Sequence, residues 1–372
     1  MNVILRFLVS ALMALAAWAS ASGCTSALVG ATATADGRML LWKHRDTGHQ
    51  ENFVDRVAAT DTTMAYVALF NAGDSLRREA WIGFNEAGFA VMNTASYNLA
   101  PDTARVRDRE GIVMTEALRR CRRFGDFTAL LDSAIASGPL GVQANFGAFD
   151  AEGDGGYVEC SDHTYTVYPL ALAPEGAIIR SNYSFSGGKE RRLGAVRQCD
   201  AEALFAEPLR ERSVRPETFT EGLSRSFYHA GEGRDLSADG AMRVADRGEM
   251  IPRRISSASV VIEGPLPGEN PAETMVMWVS LGFPPASHVE PAMLDSVAPA
   301  LLPSEPGCRA PLSSEMLRVR DSLFSRRNAS SPWMLDLGRL RPLIEDGRRA
   351  SAEGYRRGRA LRDNRISESS TE

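Results

Sequence analysis

The chain has 372 residues, 44% of them hydrophobic and 24% charged, with a net charge of -5 and a pI near 5.7. This is ordinary globular usage, sufficient for one large core or two modest ones. The acidic balance supplies no basic face for nucleic acid. No internal repeat or linker divides the chain, so a single domain is expected over residues 24–350.

The N-terminus reads as an export signal. Arg6 is the basic residue, Phe7 to Trp18 is apolar but too short to span a bilayer, and Ala19-Ser20-Ala21 forms a small-residue cleavage site. Residues 1–23 are therefore expected to be removed, with 22–23 as a short propeptide if cleavage follows Ala21. A periplasmic or secreted protein is expected. No later apolar run is long enough to cross a membrane.

Strands and turns follow at once. "CTSALVGAT" is rich in β-formers, "ADGR" carries an Asp-Gly turn, and "MLLWKHRD" is the return strand. "MAYVALFNA" is a further strand, and "EAWIGFNEAGFAVMNTASYN" is a hairpin turning at Asn85–Gly88. Helical periodicity takes over in "EGIVMTEALRRCRRF" and "DFTALLDSAIAS", with Asp126 as an N-cap for the second helix. Strands return at "ANFGAFDAEGDGGYVECS", "HTYTVYPL" and "GAIIRSNYS". Gly187 to Met250 carries only a weak pattern. "RRISSASVVIEG" and "ETMVMWVSLG" read as one long hairpin. The end is helical and charged, and residues 351–372 are expected to form a helical to disordered tail, disordered over "RISESSTE". Strands grouped at both ends with helices between them indicate an α+β layered domain.

There are five cysteines: Cys24, Cys121, Cys160, Cys199 and Cys308. Export permits disulfides, and the odd count leaves one thiol over. Cys160–Cys199 with Cys121–Cys308 is one arrangement; four ordinary small core residues is the other. With no C-x-x-C pair and scattered histidines, neither a metal nor any other cofactor is expected.

Cys24 follows the run of small residues directly, and three roles compete for it: lipid anchor, disulfide half, or nucleophile at the head of the mature chain. The last has a chemical logic. A thiolate is the attacking species, and an α-amino group titrates near ~7.7–8.0. A cysteine at position one therefore carries nucleophile and base together and needs no histidine. As a lipid anchor, the residue would want a more apolar neighbour than Ala21 three positions before it.

These segments together resemble the N-terminal-nucleophile cysteine hydrolases of the penicillin acyltransferase and choloylglycine (bile-acid) hydrolase branch. "CTSALV" with "ADGRMLLWKHRD" resembles the family's opening hairpin, and "WIGFNEAGFAVMNTASYN" its second element. "ANFGAFDAEGDGGYVECS" resembles its third hairpin, "RSNYSF" its T-N element, and "RRISSASVVIEG" to "WVSLGFPP" its closing hairpin. The resemblance covers Cys24 to about Pro285. It implies a four-layer αββα sandwich and hydrolysis of linear amides through an acyl-enzyme, with acyl transfer as a variant. It implies Cys24 as nucleophile and base, Asp46 as the anchor of the charged amine, and Asn93 and Asn182 as the oxyanion hole. Lys43 falls where the bile-acid hydrolases carry Arg. Arg254 is the candidate for a late basic residue, with Arg253 as plausible. Asn145 either contributes to the site or caps a bulge on its strand, and Tyr97, Tyr183 and Phe185 are left out of the site as core aromatics. The expected partner is a small N-acyl amide or a short peptide, with no nucleic acid, and no membrane unless Cys24 is lipidated. Nothing in the residues fixes an oligomeric state. The competing readings are a cysteine dipeptidase of a neighbouring family and a lipoprotein with a non-catalytic binding role.

Overall fold

The computed structural model describes residues 23–99, 108–190, 192–238, 240 and 242–369. The signal-peptide assignment, apart from Gly23, lies outside the described residues.

Two antiparallel sheets form the centre. The first contains β1 (Thr25–Val29), β2 (Leu40–Asp46), β10 (Ala177–Arg180), β14 (Ser256–Glu263), β15 (Val276–Leu281) and β16 (Glu290–Ala292), in the order β10-β1-β2-β14-β15-β16. The second runs in chain order through β3 (Asn52–Val57), β4 (Tyr66–Asn71), β5 (Ile82–Asn85), β6 (Ala90–Ala95), β7 (Ala144–Phe149), β8 (Gly155–Cys160) and β9 (Tyr165–Pro169). Two ribbons lie outside them: β11 (Tyr228–His229) with β12 (Arg234–Asp235), and β13 (Arg243–Asp246) with β17 (Phe324–Ser325) and β18 (Trp333–Asp336).

The side-chain period of two along each strand sorts the layers. On β2, Leu41 joins the large core shared with the second sheet, whereas Leu40 and Trp42 face the other way, into a separate core. On β15, Met277 and Val279 lie in the first of these cores and Val276 and Trp278 in the second. Helices α1 (Glu110–Arg120) and α2 (Phe124–Ala136) cover the outer face of the second sheet, where the Phe127 ring lies 5.6 Å from that of Phe146. Helix α3 (Ala195–Arg210) covers the outer face of the first sheet through Ala201 and Phe205. Phe219 stacks on Trp42 there at 5.0 Å. The short helices α4 (Pro271–Thr274) and α5 (Pro311–Leu323) precede the long α6 (Leu337–Ser369). The result is a four-layer αββα sandwich.

Several expectations are corrected. The boundary at residue 350 falls inside α6, a continuous helix that reaches Ser369. Ser351, Tyr355 and Arg362 are buried, Tyr355 packs on Trp278 at 4.7 Å, and Arg362 pairs with Glu263 at 2.9 Å. Gly354 and Gly358 permit this close approach, since a Cβ there would collide with the Val289 carbonyl and the Trp278 ring. Asp126 is not the N-cap of α2; it sits one turn in and accepts hydrogen bonds from the N–H groups of Arg122 and Arg123 at 2.8 and 2.9 Å. Residues 195–210, in the stretch with weak patterning, form α3. All five cysteines are free. Cys121 and Cys160 are small core residues whose thiols burial pushes up to about 12, Cys199 is exposed, and Cys308 is half-buried. Thiol titration of denatured, unreduced protein should therefore count five reactive groups, where two bridges would leave one.

Candidate active site

Cys24 immediately precedes β1. The pairing of Thr25 with His44 sets the far end of β2, Lys43 to Asp46, alongside it. The Gly23 N–H donates to the Asp46 carbonyl at 3.0 Å. Cys24 is only 8% exposed, with its Sγ 3.9 Å from the same carbonyl.

The Asp46 carboxylate is fully buried and accepts three hydrogen bonds. Arg253 donates to Oδ2 from Nε at 2.9 Å and from Nη2 at 2.7 Å, and Ser256 Oγ donates to Oδ1 at 2.6 Å. A buried carboxylate is tolerable only with such compensation. Arg253 Nη2 also donates to the Gly23 carbonyl at 2.8 Å, so one guanidinium joins Asp46 to the peptide bond preceding Cys24. Behind it His44 Nε2 lies 3.0 Å from Ser256 Oγ. Burial lowers the His44 pKa to about 4, which keeps the ring neutral near pH 7.

Arg197, from the first turn of α3, is the second guanidinium. Its Nη1 donates to the Cys24 carbonyl at 2.8 Å and to Thr25 Oγ1 at 3.2 Å, and its Nη2 to Asn182 Oδ1 at 2.7 Å. Burial, then Arg253, lowers its pKa to about 9, still charged at neutral pH.

Lys43 points inward from β2 and donates from Nζ to Asn93 Oδ1 at 2.7 Å and to the Trp81 carbonyl at 2.8 Å. Burial is the main force on it and lowers its pKa to about 7, against the attraction of a Cys24 thiolate.

These cations settle which way two amides face. Arginine and protonated lysine only donate, so each asparagine must offer its oxygen to its cation and turn its N–H2 group away. Asn182 spends one N–H on the Ala95 carbonyl at 2.9 Å and keeps the other. Asn93 Nδ2 has no acceptor among the described residues. Each asparagine thus presents a fixed donor, the type of group that stabilises a developing oxyanion.

The loop carrying Asn182 is stapled to the second sheet. Asn145 Nδ2 donates to the carbonyls of Ser181 and Tyr183, both at 3.2 Å, and its Oδ1 accepts from Ser184 Oγ at 2.6 Å. Asn98 holds Ser184 N–H at 2.7 Å, and buried Glu159 holds Ser186 N–H at 2.7 Å. Asn145 is therefore fully used in holding the loop.

Arg197 thus joins Asn182 to Cys24, Arg253 joins Asp46 to Gly23, and Lys43 with Asn93 forms a separate hydrogen-bonded pair whose lysine feels the charge of Cys24. Arg254 takes no part in any of these. Successive side chains diverge, and Asp46 captures Arg253; Arg254 instead stacks over the Trp333 ring at 4.1 Å and lies 3.4 Å from Asp321. Tyr97, left with the core residues, lines the pocket beside Asn182. Arg197 had no local signal, because a buried arginine in a first helical turn reads like any surface one. Among the described residues no group of three or more His, Cys, Asp or Glu side chains could hold a metal ion.

No protein-family model matches the chain, and no curated protein matches it. Solved structures that are similar to it include an N-acylethanolamine-hydrolyzing acid amidase ortholog from Caenorhabditis elegans, at 14% identity and a TM-score of 0.45, covering 66% of this chain and 94% of that one. A mutant of the conjugated bile acid hydrolase from Clostridium perfringens is similar at 10% identity and a TM-score of 0.43, covering 73% and 92%. Penicillin V acylase from Agrobacterium tumefaciens is similar at 11% identity and a TM-score of 0.36, covering 73% and 86%.

Proposed function

We propose that this chain is an exported amidohydrolase that acts through Cys24 as the first residue of its mature form. The observation that carries the reading is the pair of asparagines whose oxygens are each taken by a cation, together with a cysteine whose preceding peptide carbonyl accepts from Arg253, the guanidinium that also holds Asp46. Once that peptide bond is cut, the α-amine of Cys24 is free, and Asp46, held by Arg253 and Ser256, is the carboxylate proposed to anchor it. The amine takes the thiol proton and the sulfur attacks the amide carbonyl. Asn93 and Asn182 receive the oxyanion, and the proton passes to the departing amine as the C–N bond breaks. Water then attacks the thioester, releasing the acid and restoring the thiol. A second amine in place of water would give acyl transfer. The lipoprotein reading is disfavoured by the placement of Cys24, which is largely buried among the polar groups of the site. The test is acid quench of a reaction with a slowly hydrolysed N-acyl amide, followed by peptide mass analysis. The acyl mass is expected on Cys24; turnover with no thioester there overturns the reading.

Two consequences are measurable. Asn182→Ala should lower kcat by roughly 10²–10³ with a smaller change in KM, as expected for loss of one oxyanion donor. A rise in KM alone would reassign Asn182 to ground-state binding. Lys43 gives a pH signature. Its charged form supports the thiolate and is lost as pH rises through about 7. The alkaline limb of kcat/KM should therefore sit near that pH. Lys43→Arg, with a guanidinium charged to beyond about pH 12, should move the limb up by several units. A limb unchanged in this variant would clear Lys43 of the role.

A further inference from the structure

A groove of about 600 Å³ lies at the edge of the sandwich, lined by β9, β10, the turn between them and α3. From α3 come Gln198, Glu202, Ala206 and Leu209, which recur every three or four residues on one helix face. The rest of the lining is mostly apolar, with Tyr168, Leu172, Ile179 and Phe185. Leu172 and Phe185 are two of the four large apolar side chains left exposed among the described residues, at 81% and 49%. Neither Cys24 nor Asn93 nor Asn182 lines the groove. It runs past Ala177, which pairs with Val29 at the far end of β1, about 16 Å along the strand from Cys24.

Two features of the lining decide what fits it. Gln198 is only 2% exposed. Its Nε2 donates to the Ile179 carbonyl at 3.0 Å and to Glu202 Oε1 at 2.7 Å. Both of those oxygens only accept, which settles the orientation of the amide. Its Oε1 is left buried with no hydrogen-bond partner among the described residues. A buried acceptor in that state calls for a donor from outside the chain. The charge is also one-sided. Neither Glu175 nor Glu202 has an ion pair with a described residue, and Glu175 is held at φ 54°, a backbone region uncommon for a residue with a Cβ. Arg180 lines the groove too, but its Nε donates to Glu159 at 2.8 Å, with both side chains almost fully buried, and the Phe185 ring covers its guanidinium at 3.8 Å. The unmatched charge of the groove is therefore negative.

We infer that this groove is a second binding site, separate from Cys24, for an apolar primary amine. The hydrocarbon part covers Leu172 and Phe185 and takes them out of water. The ammonium meets Gln198 Oε1 and the carboxylate of Glu202 beside it. An ammonium has three donors and no acceptor, which suits a bare carbonyl oxygen next to a carboxylate. An alcohol of the same shape supplies the donor without the charge, and a carboxylate supplies neither.

The test is calorimetry on the purified protein with 4-phenylbutylamine, 4-phenyl-1-butanol and 4-phenylbutyrate, which share one hydrocarbon frame and differ in the polar end. The amine should bind roughly tenfold more tightly than the alcohol, and the acid most weakly. Added salt should narrow the gap between amine and alcohol. Glu175→Gln with Glu202→Gln should bring the amine to the affinity of the alcohol. Ala206→Trp, which fills the groove from α3, should abolish binding of the amine. Residues 175, 202 and 206 are all exposed, so the melting temperatures should match that of the wild type. An amine bound no more tightly than the alcohol, or no saturable binding of any of the three, overturns the inference. So does an amine affinity unmoved by Ala206→Trp, which would place the compound elsewhere, the site of Cys24 included. Binding is read here as heat without turnover, so failure leaves the amidohydrolase reading in place.

Discussion

Cys24→Ala should abolish turnover, with a loss of roughly 10⁴ or more in kcat, because removal of the nucleophile stops both halves of the reaction. The fold should survive. Cys24 lies just outside β1, and its Sγ makes only a 3.9 Å contact with a carbonyl. The melting temperature should therefore stay close to that of the wild type, which separates a chemical defect from a structural one. Cys24→Ser keeps the size but not the acidity, and should retain only a trace of activity. Rates measured on both variants beside thermal melts decide the matter. Wild-type rates in either variant would remove Cys24 from the mechanism.

Protein that still begins at Gly23 should be inactive, and protein that begins at Cys24 active. An amide nitrogen is no base, so retention of Gly23 removes the proton acceptor, a contribution of roughly 10²–10⁴. Retention also fills the site, since the Gly23 carbonyl occupies Arg253. The fit is close. A Cβ at residue 23 would collide with the Arg253 guanidinium and lie 2.8 Å from Asn182 Oδ1. Gly23→Val should therefore expel the leader from its present seat and slow maturation, seen as accumulation of unprocessed chain. Intact mass paired with activity is the measurement. Full activity in protein bearing Gly23 would sink the scheme.

The sheet strands were mostly readable because burial on two faces forces a pattern. β1, β2, β4 to β8, β14 and β15 all carry apolar residues in continuous or alternating runs, and the closing hairpin pairs in the register such runs dictate. β3 was missed: its "NFVDRV" has an exposed, charged end. The helix α6 was misjudged for the opposite reason. Its surface is largely arginine and glutamate, so the glycines and Tyr355 that seat it on Trp278 are lost among solvated residues. Around the site, residues on strands were legible by position. Arg197 and the distinction between Arg253 and Arg254 were not, because those depend on which side chain a distant carboxylate or amide captures. Asp46 lies 207 residues from Arg253. Composition was also misleading over the cysteines. An expectation of export allowed bridges, but Cys121 and Cys160 sit in the hydrophobic core without them.

The pairing of β2 with β14 has a kinetic meaning. Thr25 to Asp46 emerge early in synthesis, but their partner strand begins at Ser256, and Arg253 and Ser256, which hold Asp46, come with it. A nascent chain therefore displays its cysteine long before the groups that could activate it exist. Closing so large a loop is slow relative to local structure. A chain that ends before Arg253 contains Asn93 and Asn182 but lacks the groups that hold Asp46. On the proposed mechanism, activity thereby reports that the chain has folded as far as β14.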